Sequence, residues 1–183
     1  MLRTDRYVGI DIGVSISAPG AVAVLLPDGT VSHLTDLPIE TIQVPVKANK
    51  SGVGVRSYLD LGKLDHLFKQ LFICQHTNLI NPEIGVEEQV IYGTDGRRSG
   101  GVLMRTFGQV EGLIVGYGQK FKTIRPKVWQ AEFNLTGDKD SHLNLARELF
   151  PVGDMLKRKK DHGRADALLI AEYIRRQGEA SNG

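Results

Sequence analysis

Five acidic side chains stand where short apolar patterns would otherwise continue. Asp11 interrupts one apolar run, Glu87 and Glu88 follow another, and Asp161 and Asp166 open the last helical pattern of the chain. A buried carboxylate needs a partner, and converging carboxylates repel one another unless cations lie between them. Oxygen ligands suit Mg²⁺ or Mn²⁺, and two such ions about 4 Å apart can activate water and stabilise the leaving oxygen in phosphodiester hydrolysis. The acids therefore indicate a metal-dependent hydrolytic site that needs no protein nucleophile.

Each acid taken alone also has a structural explanation. Asp11 fits a turn or a cap, and one member of the pair Glu87-Glu88 must face solvent if its strand alternates. Asp161 fits the N-cap of the last helix, where an aspartate stabilises by about 1 kcal/mol without any metal. The prediction of a metal site therefore rests on the acids taken together.

Hydrophobic periodicity predicts an α/β chain in the order βββ-α-β-α-β-ααα. Alternating or short apolar runs predict strands at residues 7–11, 21–26, 30–37, 84–92 and 121–124. Apolar residues three and four apart predict helices at 57–75, 101–118, 126–134, 141–150 with Ser141 as N-cap, and from about 161–163 to 177. Residues 38–56 lack clean periodicity and are predicted to form a long loop or an extended ribbon. The acids thus come from three separate elements, which must converge if they form one site.

Composition predicts one compact globular domain over residues 1–183. Hydrophobic residues make up 41% and charged residues 24%, a balance that excludes disordered and fibrous chains. The longest uncharged stretch, residues 12–27, is broken by glycine and proline, so it predicts neither a membrane span nor a signal peptide. The net charge of +2 does not identify a partner, but cations cluster around residues 97–105 and at 157–160.

Three segments resemble the RuvC-like Holliday-junction resolvases of the RNase H superfamily, in particular the short phage and bacterial types. Val8-Gly9-Ile10-Asp11-Ile12-Gly13 resembles their first strand, Val86-Glu87-Glu88-Gln89 resembles a core strand, and residues 159–169 are similar to the signature that opens their last helix. Residues 124–129 also resemble a strand-to-helix segment, in which Trp129 is expected to pack in the core. The resemblance implies an RNase H-like fold, with a mixed five-stranded sheet of three antiparallel and then two parallel strands, flanked by helices.

The same resemblance implies a set of metal ligands. Asp11, Glu87 and Asp166 match the first, second and last ligands of the family, with Glu88 as the less favoured member of its pair. Two Mg²⁺ ions per site are implied, for which Mn²⁺ should substitute.

One position departs from the family pattern. In many relatives a further acid or histidine lies three residues before the last aspartate, but that position here is Gly163. Asp161 or His162 must then supply the group. His162, four residues before Asp166, shares its helix face, but Asp161 is preferred because it is the harder oxygen ligand.

The activity implied is a metal-dependent endonuclease that resolves four-way DNA junctions by paired symmetric cuts. Symmetric cutting requires two sites related by a twofold axis, and residues 107–112 resemble the helix that forms the homodimer in this family. Phosphate contacts should dominate DNA binding and make it salt-dependent. The DNA-binding residues expected are Arg97, Arg98, Arg105, Lys157, Arg158, Lys159, Lys160 and, by stacking on a base, Tyr92. The expected setting is the cytoplasm of a bacterial cell or phage-infected host, with no membrane and no small-molecule cofactor.

Three alternatives compete with this interpretation. Asp11-Ile12-Gly13 also resembles the phosphate loop of actin-like and sugar-kinase-like ATPases, but that architecture needs two such domains, and 183 residues supply one. A nuclease of the same fold can act on RNA–DNA hybrids, flaps or structured RNA instead of junctions. An inactive DNA-binding module is disfavoured because it would have no reason to keep mutually repelling carboxylates.

Overall fold

Seven strands and five helices make up the described part of the chain, which in this computed structural model is residues 5–45, 53–73, 81–90 and 97–180, with backbone alone at 97 and 98. The strands are β1 (Arg6–Val14), β2 (Pro19–Leu25), β3 (Val31–Asp36), β4 (Ile39–Pro45), β5 (Val53–Leu59), β6 (Pro82–Glu87) and β7 (Lys122–Ile124). The helices are α1 (Leu61–Phe72), α2 (Arg97–Gly116), α3 (Pro126–Glu132), α4 (Lys139–Leu149) and α5 (His162–Ala180). Two short 3-10 turns, Gly153–Leu156 and Lys159–Asp161, lead into α5.

The central sheet has five strands in the order β3-β2-β1-β6-β7. β1, β2 and β3 pair antiparallel, whereas β6 is parallel to β1 and β7 is parallel to β6. This confirms the predicted mixed sheet of three antiparallel and then two parallel strands. β4 and β5 form a separate two-stranded antiparallel sheet.

Side chains of the central strands alternate between two cores. In β1, Val8, Ile10 and Ile12 belong to the core that α1 and α2 cover, together with Phe68 and Ile114. The opposite face is covered by α3, α4 and α5, whose buried apolar residues form a second core. Because strand side chains have a period of two, residues 7, 9 and 11 of β1 face α5. Asp11 therefore lies on the α5 side of the sheet.

α5 packs unusually close to β1. A Cβ atom added to Gly9 would lie 2.1 Å from the carbonyl oxygen of Ala167 and 2.5 Å from the amide nitrogen of Ala171. The absence of a side chain at Gly9 and the small side chains on the facing turns of α5 permit this approach. The helix that carries Asp166 is thereby held against the strand that carries Asp11.

The helix starts and residues 38–56 differ from the prediction in detail. β4 and most of β5 fall within 38–56, so the ribbon was the correct alternative there, and β5 continues to Leu59 where a helix was predicted. α1 begins after its N-cap Asp60. The prediction that Ser141 caps α4 is wrong, because Asp138 accepts hydrogen bonds from the amides of Asp140 and Ser141 and the helix starts at Lys139. Within the described ranges no helix is both long and apolar enough to cross a membrane.

Glu172, a buried residue of α5, forms partly buried ion pairs with Arg175 and Arg176 one turn further along the helix. It is 6% exposed and accepts hydrogen bonds from Nε and Nη2 of Arg175, at 2.7 and 2.9 Å, and from Nε of Arg176, at 2.8 Å. Burial alone would raise the pKa of Glu172, but these hydrogen bonds outweigh burial and hold the pKa below the usual glutamate range. A lowered folded-state pKa stabilises the fold above the unfolded-state pKa, and this stabilisation is lost as the pH falls through the folded-state pKa.

We therefore expect Glu172→Gln to lower the free energy of unfolding by about 2 kcal/mol at pH 7, the scale of hydrogen bonds to a charged group. The difference from wild type should shrink in acid, because protonation then removes the same charge from Glu172 itself. Urea unfolding at neutral pH and near pH 3 measures both. Glu179→Gln is the matched control, since Glu179 also pairs with Arg175 but is exposed, and exposed pairs contribute about 0–1 kcal/mol. An equal loss for Glu172→Gln at both pH values would contradict an effect of charge.

Candidate active site

Asp11 and Glu87 lie side by side near the carboxyl ends of two parallel strands. β1 and β6 pair with Ile10 opposite Val86, so that the next residues of the two strands, Asp11 and Glu87, are neighbours. The alternation along each strand directs both side chains to the α5 face. Their carboxyl groups are hydrogen-bonded to each other. Two separate segments of the sequence thus bring two acids into direct contact.

Asp166 reaches the same place from the first turns of α5. It is 8% exposed and lies close enough to Asp11 and Glu87 for its charge to raise the pKa of both. All three acids line one cavity of about 270 Å³. The polar lining consists of Asp11, Glu87, Gln89, Gln130, Lys139, His142, His162 and Asp166. The structure therefore brings together three of the acids that the sequence singled out.

Gly163 explains the departure from the family pattern. A Cβ atom at this position would lie 2.2 Å from the carbonyl oxygen of Pro19 and 3.1 Å from Oδ2 of Asp11. The start of α5 is therefore in contact with the turn between β1 and β2. No side chain fits at Gly163, so this position cannot contribute a side chain to the cavity.

The negative charges of the three acids repel one another. Burial, followed by the charges of Glu87 and Asp166, raises the pKa of Asp11 well above the usual aspartate range, and Lys139 opposes this. Burial and then Asp166 also raise the pKa of Glu87, against hydrogen bonds from Asp11, Trp129 and Gln89. The cluster therefore resists becoming fully ionised, and added positive charge would relieve the repulsion.

Two buried rings hold the carboxylates from behind. Nε1 of Trp129 donates a hydrogen bond to Oε1 of Glu87 at 3.1 Å. Nδ1 of His142 lies 2.8 Å from Oδ1 of Asp166, and its Nε2 lies 2.7 Å from the carbonyl oxygen of Thr136. Burial lowers the pKa of His142, but the hydrogen bond and charge of Asp166 outweigh it and raise the pKa. Trp129 is fully buried, as expected for a core residue, and it also contacts the acid cluster.

Asp161 does not reach the cavity, whereas His162 does. The carboxylate of Asp161 is 3% exposed and accepts hydrogen bonds from the amide and guanidinium of Arg158, at 2.7 to 3.0 Å. Burial would raise the pKa of Asp161, but the bonds from Arg158 hold it below the usual range. His162 lines the cavity, and its Nδ1 is buried without a hydrogen-bond partner among the described residues. The preference for Asp161 over His162 is therefore not supported by the geometry, because Asp161 stabilises the turn before α5.

Glu88 is also directed elsewhere. It follows the last residue of β6, so the alternation that turns Glu87 toward α5 turns Glu88 away. Its Oε2 accepts a hydrogen bond from Nε of the exposed Arg125 at 3.0 Å. Of the pair, Glu87 is the residue that meets Asp11.

The chemistry of the cavity suits a divalent cation. It offers carboxylate oxygens from Asp11, Glu87 and Asp166 and the unpaired Nδ1 of His162, and carboxylates favour Mg²⁺ or Mn²⁺. Within the described ranges no three His, Cys, Asp or Glu side chains are already arranged as a ligand set. Asp11 and Glu87 instead hydrogen-bond each other, and Asp166 is bonded to His142.

The predicted DNA-binding cations lie in two regions. Lys157, Lys159 and Lys160 are exposed on the segment that leads into α5, and Nζ of Lys159 lies 3.3 Å from Asp140. Arg158 is half-exposed but its guanidinium is bound to Asp161. The guanidinium of Arg105, on α2, lies over the ring of Tyr58 at 5.6 Å. Arg97 and Arg98 begin α2, and Tyr92 lies outside the described residues.

Four polar residues of the cavity, Gln89, Gln130, Lys139 and His142, were not predicted from the sequence, and two of these are titratable. His142 lies on the apolar side of α4, beside Leu143 and four residues before Ala146, where a histidine is out of pattern. Lys139 is the first residue of α4, where the helix dipole disfavours a cation. A histidine on the apolar face of a helix and a lysine at a helix N-terminus are both unfavourable for stability, and these unfavourable positions could have identified the two residues as functional candidates.

The fold is similar to that of solved RuvC structures. T. thermophilus RuvC, in complex with a Holliday junction substrate, superposes with a TM-score of 0.57 at 15% sequence identity, covering 97% of this chain and 96% of that chain. A second Thermus thermophilus RuvC structure has a TM-score of 0.48 at 16% identity, covering 94% and 96%. The first superposition shows that this chain has the RuvC fold, so the expected fold is confirmed.

Sequence comparison finds a similar segment in one curated protein. The chloroplastic Holliday junction resolvase MOC1 of Chlamydomonas reinhardtii is 38% identical over 91 residues, which cover 48% of this chain and 10% of that protein. The match thus spans about a tenth of the length of this curated relative. No family model matches the chain. The resemblance to RuvC-like resolvases therefore has support from sequence as well as from fold.

Proposed function

We propose that this chain is a divalent-metal-dependent endonuclease that cuts four-way DNA junctions. The observation that carries the proposal is the meeting of Asp11, Glu87 and Asp166, from β1, β6 and α5, in one cavity. Two comparisons support the substrate, because the sequence relative is named a Holliday junction resolvase and the superposed RuvC structure contains a Holliday junction. The reaction is the hydrolysis of a phosphodiester bond.

Asp11, Glu87 and Asp166 hold two Mg²⁺ ions, for which Mn²⁺ substitutes, and His162 supplies the fourth group. Such ions activate a water molecule and stabilise the leaving oxygen of a phosphodiester. The carboxylates bring the negative charge that the ions require. Asp161 has no part in this set, because its oxygens are bound to Arg158.

Lys139 binds the phosphate of the cut bond. Its side chain lines the cavity and its charge lowers the pKa of Asp11. A cation at the first residue of a helix costs about 0.3–1 kcal/mol against the helix dipole. The cost is offset if the ammonium group meets a phosphate whose charge grows in the transition state.

A homodimer places two such sites on one junction. On α2, one stripe is exposed and small or apolar, and a Cβ atom added to any of its glycines would meet nothing within 4 Å. The stripe consists of Gly101, Met104, Gly108, Gly112 and Val115. Spacings of three and four residues put these positions on one helix face, opposite the face that Val110 and Ile114 bury. Small residues allow two helices related by a twofold axis to approach closely.

We expect Gly112→Arg to convert the dimer to a monomer, because an arginine side chain fills the space that the partner helix would occupy. Size-exclusion chromatography with light scattering measures the mass, and cleavage of a junction held in a cruciform plasmid reports whether the two nicks remain paired. Gly62→Arg, at an exposed position of α1, is the matched control. A dimer that survives Gly112→Arg would place the interface elsewhere.

The lysines before α5 bind DNA phosphates. Lys157, Lys159 and Lys160 are exposed and precede the residues that line the cavity. Each lysine that contacts a phosphate contributes about one unit to the slope of log affinity against log salt. The triple replacement by alanine should therefore weaken junction binding and lower that slope. Electrophoretic titrations between about 50 and 200 mM salt measure it, with Lys69→Ala on α1, across the sheet, as control. An unchanged slope would remove this surface from the DNA interface.

A panel of substrates tests the function itself. The purified protein is incubated with a labelled four-way junction, a matched duplex, a flap and an RNA–DNA hybrid, each with Mg²⁺, Mn²⁺ or EDTA. Paired symmetric nicks in the junction, abolished by EDTA, are expected. Cleavage of the flap or hybrid but not of the junction would keep the metal site and overturn the substrate. Junction binding without cleavage under any condition would favour an inactive DNA-binding module.

A further inference from the structure

Behind the acid cluster, two buried aromatic rings contact each other and each contacts a different carboxylate. The rings of Trp129 on α3 and His142 on α4 pack edge to face with centroids 5.1 Å apart. Trp129 is bonded to Glu87 on one side, and His142 is bonded to Asp166 on the other. Two acids that come from different elements are thus linked through a continuous contact of side chains.

The hydrogen bonds of His142 fix the orientation of its ring. The carbonyl oxygen of Thr136 accepts hydrogen bonds and cannot donate them, so Nε2, 2.7 Å away, must carry a hydrogen. Nδ1 then faces Oδ1 of Asp166 at 2.8 Å. With both nitrogens engaged and 3% of the residue exposed, the ring has no freedom to turn. Whichever atom carries the shared proton, the orientation of the Asp166 carboxylate is set by the backbone at Thr136.

Packing alone does not explain these two residues. His142 lies among Leu143, Ala146 and the ring of Trp129, where an apolar side chain would fill the space without burying two polar nitrogens. Trp129 has no exposed surface, and its Nε1–H is directed to a carboxylate of the cavity. Each ring thus has a buried nitrogen that contacts an acid of the proposed metal site, Glu87 for Trp129 and Asp166 for His142.

We propose that Trp129 and His142 are positioning residues that act as one unit, holding Glu87 and Asp166 at the separation that the metal ions require. The inference rests on the proposed metal site and extends it to the layer of side chains behind the ligands. Residues in this layer orient the ligands, and their replacement typically costs about 10- to 100-fold in metal affinity or activity.

Two replacements of His142 separate the link to Asp166 from the link to Thr136. Counted from Cβ, the amide nitrogen of asparagine is as far along the side chain as Nδ1, and that of glutamine is as far as Nε2. His142→Asn can therefore keep the bond to Asp166, whereas His142→Gln can keep the bond to Thr136. His66→Asn, on the exposed face of α1, is the control for a histidine replacement.

Mn²⁺ binding to the DNA-free protein, measured by calorimetry, is the first readout. We expect His142→Gln to weaken it by about 10- to 100-fold. His142→Asn should weaken it by a smaller factor, because asparagine keeps the bond to Asp166 but loses the bond to Thr136 and the ring contact with Trp129. The Mg²⁺ concentration for half-maximal junction cleavage should rise in parallel, while junction affinity in EDTA stays unchanged. Rescue by glutamine and not by asparagine, or wild-type Mn²⁺ affinity in both variants, would overturn the inference.

Trp129→Phe tests the other half of the unit. It keeps an aromatic ring against His142 and removes the hydrogen bond to Glu87, and we expect Mn²⁺ affinity to fall about tenfold. If the rings act together, the double variant Trp129→Phe/His142→Gln should lose Mn²⁺ affinity by a smaller factor than the product of the factors lost in the two single variants. A loss of Mn²⁺ affinity equal to that product would show that the two residues act independently, and would overturn the claim that they act as one unit.

Failure of the proposed function gives a different pattern. If the wild-type protein binds Mn²⁺ but does not cleave the junction, the proposed junction-nuclease activity is wrong. The Mn²⁺ affinities of the variants would then still decide whether Trp129 and His142 are positioning residues. Wild-type protein that binds no Mn²⁺ would overturn both. Melting temperatures of all variants establish that each is folded, and Trp129→Phe provides the decision if both His142 variants unfold.

Discussion

Asp11→Asn is expected to lower the rate of junction cleavage by more than about 100-fold while junction affinity stays at least as high as in the wild type. Asparagine keeps the size of the side chain and its hydrogen bond to Glu87 but removes one charge from the ligand set. Loss of an outer partner of a metal ligand already costs about 10- to 100-fold, so loss of a ligand charge should cost more. The same change reduces repulsion of the DNA phosphates. Single-turnover cleavage at saturating Mg²⁺ and electrophoretic binding in EDTA measure the two effects.

Glu88→Gln is the matched control for this prediction. Glu88 is one residue from Glu87 in the sequence, yet its side chain pairs with Arg125 outside the cavity. An exposed pair contributes about 0–1 kcal/mol, and its removal should leave cleavage near the wild-type rate. Asp11→Asn should in addition raise the melting temperature of the metal-free protein, because it removes like-charge repulsion among the acids of the cavity. Loss of binding together with cleavage would instead assign Asp11 a structural role.

The sequence was sufficient to predict the sheet and the central acids, and the reason is geometric. The period of two along β1 and β6 is short and regular, so a carboxylate after an apolar run has a defined face. Parallel pairing then makes Asp11 and Glu87 neighbours. The same alternation also separates Glu87 from Glu88, which the sequence analysis had decided by family resemblance instead.

Whether Asp161 or His162 reaches the cavity could not be predicted, because it depends on a helix start. Asp161 and His162 are adjacent, and which of them reaches the cavity depends on the 3-10 turn that ends at Asp161. That turn is closed by Arg158, whose guanidinium the sequence analysis assigned to DNA. A rotation of one residue, about 100° on a helix, exchanges the two side chains. Local pattern does not fix the phase of a helix at its first residue.

His142 and Lys139 escaped prediction for a related reason. The start of α4 was placed at Ser141, although Asp138 caps the helix and Lys139 is its first residue. Because the predicted helix began at Ser141, Lys139 lay outside it, and a lysine in a loop is not unusual. His142 was then a residue of the first turn instead of a polar residue on the apolar face. An error of two residues at a helix boundary concealed both His142 and Lys139.

The approach of α5 to β1 determines whether the acids can meet at all. Asp166 is carried by the helix and Asp11 by the strand, and the gap between them depends on residues that carry no chemistry. Gly163, Ala167 and Ala171 follow one another at intervals of four on the side of α5 that faces the strand. Gly9 is their counterpart on β1. These small residues let helix and strand approach more closely than larger side chains would.

Gly9→Ala is therefore expected to destabilise the fold by about 3 kcal/mol or more, at the upper end of the cost of overpacking a core. The new Cβ would meet the carbonyl oxygen of Ala167 at 2.1 Å and the amide nitrogen of Ala171 at 2.5 Å. Both are backbone atoms of a buried helix, so neither can rotate aside and the whole helix must move. Urea unfolding measures the loss. Gly62→Ala in the exposed part of α1 should stabilise by about 0.5–1 kcal/mol, as glycine-to-alanine changes in helices do.

The same variant also tests whether the site depends on that approach. If α5 moves away from β1, Asp166 moves away from Asp11 and Glu87, so the folded fraction of Gly9→Ala should bind Mn²⁺ more weakly than the wild type. Calorimetry with Mn²⁺ at low temperature, where the variant is still folded, separates this effect from loss of stability. Wild-type Mn²⁺ affinity in a destabilised Gly9→Ala protein would mean that the strand and the helix hold the acids in place independently of their packing distance. Weaker Mn²⁺ binding by folded Gly9→Ala would show that the close packing of β1 and α5, made possible by their glycine and alanine residues, helps to position the acids.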